Sequence, residues 1–282
     1  MSISLEDITL VCIDTRNINA ALDSMSRSLN QVKFTRSILF TSESLCSKEI
    51  INKAQTHSIN IEFIKELNSI TEYSLFILAE LDKYITSKFC LVTQWDSWII
   101  ESQYWNSNFF KYDYIGAIWP HYSIDKVGNG GFSLRSKKLL EASREFIKDN
   151  PIVASPLIED DYICRENRSK FEDLYHIKFP PIEIANEFSV ERNGIPIKSF
   201  GFHGFFNFNV VIKNDSVLKK LISSLNDECF LDIASYDLTK SLLKERRISI
   251  AKLVLKRRLR ATGVTTKNAR LTIFLLVKSF QL

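Results

Sequence analysis

Within the first 96 residues, short apolar runs alternate with amphipathic stretches, and that alternation leaves few folds open. Ile8–Asp14 is an apolar run that reads as a first, central strand. Asn17–Gln31 follows with Ile18, Ala21, Leu22, Met25 and Leu29 at helical spacing and Asn17 placed as N-cap. Phe34–Thr41 reads as a second strand, Ser42–His57 as helical or irregular, Ile59–Ile64 as a third strand and Ser69–Ile85 as a helix. Phe89–Val92 is then a buried strand running out toward Asp96. This order predicts an α/β fold: a mostly parallel central sheet, helices on both faces, and right-handed crossovers that gather the strand ends on one rim.

The second half is less regular. Trp105–Phe110 reads as a short helix, Tyr112–Ala117 as a strand and His121–Val127 as a polar loop. A helix over Ser136–Lys148, a loop over Pro151–Pro156 and a second helix from Ile158 to about Tyr175 follow, before Pro180 and Pro181 break the pattern. Phe205–Ile212 reads as a final strand, and helices are expected from Val217 onward.

In open α/β sheets the ligand crevice lies outside the carboxyl ends of the strands. Asp96 arrives there, flanked by Gln94, Trp95 and Trp98. A carboxylate in that place can hold a divalent cation against a diphosphate; it can equally cap or turn the chain. Gly128-Asn-Gly-Gly131 lacks the Lys-Ser/Thr of a phosphate loop and does not follow the first strand. Its glycines permit positive φ and the close approach of a flat ligand such as a sugar ring, or a tight turn. Glu159-Asp160-Asp161 stands ahead of helical sequence. Carboxylates there stabilise a helix start by about 0.3–1 kcal/mol each. Three in succession repel one another and exceed what capping requires, and one beside a sugar site can act as general base. His203, in Gly201-Phe-His-Gly204, sits where flexible backbone can aim the imidazole, and its nitrogen could complete a metal site begun by Asp96. His57, His121 and His176 stand in ordinary polar settings.

Val11-Cys-Ile-Asp-Thr-Arg16, Gln94-Trp-Asp-Ser97, Tyr112-Asp-Tyr-Ile-Gly-Ala117, Gly128-Asn-Gly-Gly-Phe-Ser-Leu-Arg135, Glu159-Asp160 and Phe200-Gly-Phe-His-Gly204 occur in this order. Together, over about residues 8 to 212, they resemble a family of glycosyltransferase-like proteins of bacteria and fungi with the GT-A fold, long labelled a domain of unknown function. In motif layout they are similar to galactosyltransferase-like enzymes. The resemblance implies a nucleotide-sugar donor, expected to be a UDP-sugar, and Mn²⁺ or Mg²⁺. It implies transfer of a hexose to a hydroxyl of a glycan or lipid-linked glycan such as a bacterial surface polysaccharide precursor, and the placement of Glu159 and Asp160 points to inversion. It carries over Thr15, Arg16, Gln94, Gly130 and Gly131 to the donor and Asp96 and His203 to the metal. Asp160 becomes the general base, and Glu159 a ligand of donor hydroxyls or an alternate for Asp160. The family usually carries Asp-x-Asp; here Gln94 holds the first position.

The net charge of +4 is unevenly spread. Residues 244–270 hold ten Lys and Arg against Glu245 alone, a net +9 that leaves −5 for the rest. The expected division is a transferase domain over 1–215 and a helical, basic extension over 216–282. Apolar Ile248, Ile250, Leu253, Val254, Leu255 and Leu259 interleave with the tail's charges, which suits an anionic membrane surface, a solvated face or an acidic polysaccharide. No nucleic-acid-binding motif accompanies the charge. No run approaches the roughly 18 apolar residues of a membrane span. The N-terminus has no signal-peptide pattern, and the five cysteines are scattered without CxxC spacing, so a cytoplasmic chain, peripheral at the inner membrane face, is expected. Two other readings compete. A nucleotidyltransferase generally needs a glycine-rich basic loop after its first strand, where this chain has Thr15-Arg-Asn-Ile18. A catalytically inactive sugar- or nucleotide-binding protein on the same fold accommodates Gln94.

Overall fold

A computed structural model describes residues 3–150 and 156–280. The chain divides into two compact units, Met1–His203 and Gly204–Leu282.

The first unit opens with strand β1 (Ile3–Ile13), helix α1 (Ile18–Gln31), β2 (Val32–Thr41), α2 (Lys48–Thr56), β3 (Asn60–Phe63), α3 (Ile70–Ala79) and β4 (Phe89–Thr93). Then come β5 (Ser97–Ile99), β6 (Tyr114–Ile118), β7 (Val127–Ser136) and α4 (Lys137–Asp149). It closes with α5 (Glu159–Asp161), α6 (Arg168–Tyr175), α7 (Ile182–Phe188), β8 (Ser189–Val190) and β9 (Gly201–His203). The main sheet has the order β3-β2-β1-β4-β7-β6. Pairings from β3 through β4 are parallel, and β7 is antiparallel to both its neighbours, so five of six strands share one direction. The mostly parallel α/β sheet expected from the alternation is therefore present, with one strand reversed.

Both sheet faces are covered, as such a sheet requires. On β1, Leu10 and Cys12 enter one apolar cluster and Val11 and Ile13 the other; on β4, Leu91 faces the first and Cys90 and Val92 the second. Side chains alternate across a strand, so a run apolar at every position suits only a sheet buried on both sides.

The order fixes where a ligand crevice can form. After β1 the chain adds β2 and β3 on one side, then crosses back to place β4 on the other side of β1. The carboxyl ends of β1 and β4 thus diverge at a topological switch point, where α/β sheets open toward ligands.

Several local expectations are corrected. Gly128–Arg135 is neither a turn nor a loop of positive φ: it lies in β7, and the described glycines with positive φ are Gly204 and Gly263. Phe205–Ile212 is a helical turn followed by α8 (Phe208–Val211), since a short apolar run has no periodicity to separate strand from helix. The helix expected over Ile158–Tyr175 is interrupted by a π-helical turn at Tyr162–Glu166. Asn17 is at the N-cap of α1 but contributes no side-chain cap; Asp14 instead accepts from the N–H groups of Arg16 and Asn17 and turns the chain out of β1. Most of the loop expected at Pro151–Pro156 lies outside the described residues.

The second unit continues from α8 into α9 (Asp215–Ser224), α10 (Ile233–Lys244), α11 (Ile248–Thr262) and α12 (Thr266–Phe280). Its basic residues divide into two sets. Arg247 binds Asp215 and the carbonyls of Asn209 and Ile212; Arg257 binds Asp227 and the carbonyl of Leu225. Arg258 is buried and donates to Asn268, Ser235 and the carbonyl of Phe230. Those three arginines hold the helical unit together, and Ile250, Val254 and Leu255 are core, so the tail is not an isolated amphipathic helix. Among the described residues no helix is long and apolar enough to cross a membrane.

Candidate active site

A cavity of about 420 Å³ opens at the β1/β4 switch point. Asp14, Thr15 and Arg16 after β1, Asn68 and Tyr73 around the start of α3, and Gln94 and Trp95 after β4 line it. Thr15, Arg16 and Gln94, expected to meet the donor, therefore share one cavity. Thr15 is fixed there by two hydrogen bonds with Leu67, accepting from its N–H at 3.1 Å and donating to its carbonyl at 3.2 Å. The Arg16 guanidinium donates to the carbonyl of Asn68 at 2.9 Å. Gln94 donates from Nε2 to the Tyr73 hydroxyl at 3.1 Å, and burial holds that phenol well above its ordinary range, so it stays neutral.

On its other side Gln94 meets the imidazole: His203 Nε2 lies 3.2 Å from Gln94 Oε1 and 3.4 Å from Asp96 Oδ1. The small sheet β5-β9-β8 makes this meeting, because β5 pairs antiparallel with β9 and sets Ser97 opposite His203. Gly201 leaves room for the Phe132 ring, and Gly204, at φ +104°, turns the chain away after His203. His203 Nδ1 faces Glu191 Oε1 at 3.5 Å. Burial alone would push the imidazole down; the carboxylates of Asp96 and Glu191 outweigh it and hold the group up at about 10.

The glycines of β7 seat side chains from elsewhere in the chain. A Cβ on Gly131 would overlap the His203 ring, one on Gly128 would overlap Trp119, and one on Gly130 would strike Glu159 and Arg135. The close approach expected at Gly130 and Gly131 is that of a sugar ring; the groups that lie against these glycines are His203, Glu159 and Arg135.

Asp160 is fixed on the same strand. Its Oδ2 accepts from Gly130 N–H at 2.8 Å and its Oδ1 from Asp161 N–H at 2.8 Å, so one carboxylate ties the start of α5 to the backbone of β7. Burial first, then the charge of Glu159, raises Asp160 to about 8, against the opposing pull of Gly130 N–H and Arg135. Glu159 turns inward. Arg135 Nη2 donates to its Oε1 at 2.6 Å and Asp160 N–H to its Oε2 at 2.8 Å. The Arg135 guanidinium is fully buried, 5.1 Å from the Tyr114 ring centroid.

The residues singled out in the sequence thus converge. Asp96 and His203 are in contact, Gln94 joins them to the cavity, and Asp160 and His203 approach adjacent residues of β7, where the rise is about 3.3 Å per residue. Tyr73, Arg135 and Glu191 were not singled out individually. Only Arg135 left a signal, as the lone cation at the end of the Gly128–Arg135 motif.

Among the described residues there is no group of three or more His, Cys, Asp and Glu arranged to hold a metal. The protein donors that do converge are one carboxylate, one imidazole and the amide oxygen of Gln94. That set fits a divalent ion that displaces the proton Asp96 and Glu191 hold on His203 and takes its remaining positions from substrate phosphates and water.

A family model described as a protein of unknown function, DUF5672, matches residues 53–203, just over half of the chain. The chain belongs to this family. The matched span of the DUF5672 chain holds Gln94, Asp96, Gly130, Gly131, Glu159, Asp160 and His203, while Thr15 and Arg16 lie before it. Curated proteins give no match. Among solved structures, the glycosyltransferase GlyE of Streptococcus pneumoniae TIGR4 is similar at 10% identity and a TM-score of 0.42, over 69% of this chain and 53% of that one. The chain therefore spans about half the length of GlyE. The mannosyltransferase PcManGT of Pyrobaculum calidifontis, in complex with GDP-Man and Mn²⁺, is similar at 9% identity and a TM-score of 0.40, over 98% of this chain and 86% of that one. A cytidylyltransferase of Leptospira borgpetersenii is similar at 13% identity and a TM-score of 0.35, over 64% of this chain and 76% of that one. These are likenesses in fold between distant chains, and no ligand or activity passes from them to this one.

Proposed function

We propose that this chain is a metal-assisted, inverting glycosyltransferase that moves a hexose from a nucleotide sugar, a UDP-sugar first among them, to a hydroxyl of a glycan acceptor such as a bacterial surface polysaccharide. The observation that carries the reading is the sharing of Gln94 between the switch-point cavity and the Asp96–His203 pair, with Asp160 held one residue along β7 from the glycine that seats His203. The chain works in the cytoplasm on this reading.

Thr15 and Arg16 meet the nucleotide in the cavity. Asp96 and His203 would hold Mn²⁺ or Mg²⁺ against the diphosphate; such an ion, when bound, supplies Lewis acidity toward the leaving group. Asp160 takes the acceptor's hydroxyl proton while the new bond from that oxygen to the anomeric carbon forms and the sugar–phosphate bond breaks. Glu159, turned toward Arg135, acts as the charge that keeps Asp160 basic rather than as a ligand of donor hydroxyls. Gly130 and Gly131 serve by seating Glu159 and His203, with the donor sugar beyond them.

A panel of nucleotide sugars, with and without Mn²⁺, tests this by thermal shift, since a ligand that binds only the folded chain raises its melting point. Turnover with an acceptor follows on the sugars that bind. No shift with any nucleotide sugar would remove the reading. Gln94, where the Asp-x-Asp pattern has Asp, favours a second reading: a nucleotide-sugar-binding protein without turnover. Donor binding without Mn²⁺-dependent, chelator-sensitive hydrolysis would select it.

A further inference from the structure

The surface of α11 and α12 presents two features together. The first is charge: no Asp or Glu occurs after Glu245. With Arg247, Arg257 and Arg258 engaged inside the unit, Lys252, Lys256, Arg260, Lys267 and Arg270 remain exposed, and among the described residues none of the five is in an ion pair. The second is apolar area. On α12, Ile273, Leu276 and Val277 fall at helical spacing on one face and are 62%, 51% and 48% exposed. A groove of about 440 Å³ runs between the helices, walled by Leu255, Leu259 and Leu275 and rimmed by Lys252, Lys256 and Arg260.

We propose that the α11–α12 face docks on an anionic lipid surface, with Ile273, Leu276 and Val277 entering the acyl boundary and the exposed lysines and arginines meeting lipid phosphates. An interfacial helix buries its apolar face about 5–10 Å into the headgroup boundary and draws further affinity from basic residues. Each cation brought to an anionic leaflet contributes about fivefold in binding. The other occupants satisfy only half of the surface. A polyanion in solution meets the cations and leaves the apolar stripe wet. A second copy covers the stripe but sets two positive faces against each other. The inference draws on the second unit alone and stands apart from the transferase reading.

Co-sedimentation of the full chain with vesicles tests it without any turnover. Phosphatidylglycerol-containing vesicles should bind the chain at least about tenfold more tightly than pure phosphatidylcholine. The double substitution Ile273→Ser with Leu276→Ser and, separately, Lys252→Glu with Lys256→Glu should each weaken binding by about tenfold or more. Both pairs are exposed, and an unchanged circular dichroism spectrum and melting point would confirm that the variants fold. Equal binding to the two vesicle types, no binding to either, or binding indifferent to both pairs overturns the proposal. So does a dimer in light scattering that the Ile273–Leu276 pair abolishes, or binding that prefers RNA over vesicles.

Discussion

His203 and Gly131 occupy one space: a Cβ on residue 131 would overlap the Cδ2 and Nε2 atoms of the imidazole. The glycine is what lets the ring reach Asp96 and Gln94. Gly131→Ala should displace the ring and lower turnover by about a hundredfold, the usual cost of a misplacement near 1 Å, while overpacking costs about 1–3 kcal/mol of stability. Paired measurements of kcat and of the denaturant midpoint check this. Activity retained in a stable Gly131→Ala variant would show that the ring's position is not critical.

Asp160→Asn keeps the shape of the side chain and an acceptor for Gly130 N–H but removes the base. Transfer should fall by about 10²–10⁴-fold with donor affinity nearly unchanged. Calorimetric titration of the donor beside a turnover assay separates the two. Affinity falling as far as activity would count against proton transfer at this residue.

The same carboxyl sets a pH dependence. Its value of about 8 in the folded chain lies above the ordinary 3.8, so the favourable contribution of its protonated form is fully present below about pH 4 and is lost as pH rises through 8. Turnover, which needs the ionised form, should rise through the same range. Glu159→Gln removes the like charge and should move both inflections toward acid. Melting points recorded from pH 4 to 9 for the parent, Asp160→Asn and Glu159→Gln check the assignment, and the Asn variant should lose this part of the slope.

Arg135 and Glu159 are a buried ion pair with side-chain exposures of 0% and 5%. Arg135→Met strands the carboxylate and should cost about 3–5 kcal/mol, whereas Arg135→Met with Glu159→Leu should recover much of it. A double-mutant cycle in urea measures the coupling, and strictly additive losses would argue that the pair acts separately.

Much of the first unit was legible because its elements carry local periodicity. The β1 to β4 alternation follows from apolar runs and helical spacing alone. What escaped depends on partners far along the chain. Gly128–Arg135 did not read as strand because glycine is poor in strands, and only the packing of His203, Trp119 and Glu159 against it explains its composition. The ion pair of Glu159 with Arg135 was not legible, because nothing local reveals that Arg135 reaches it. Asp96, Asp160 and His203 could be named from residue type and flanking motif, but the meeting of Asp96 with His203 required the β5–β9 register, and Gln94 holds the first position of the Asp-x-Asp pattern that the resemblance implies.

That register has a consequence for the order in which the protein comes into being. The switch-point cavity draws on residues no later than Trp95, so the residues of its walls are synthesised early. The imidazole lies 109 positions beyond Gln94 and takes its place only when β9 docks on β5. Loop closure over such a span makes it a late event. The residues of the switch-point cavity are therefore in hand well before the imidazole can join Asp96 and Gln94.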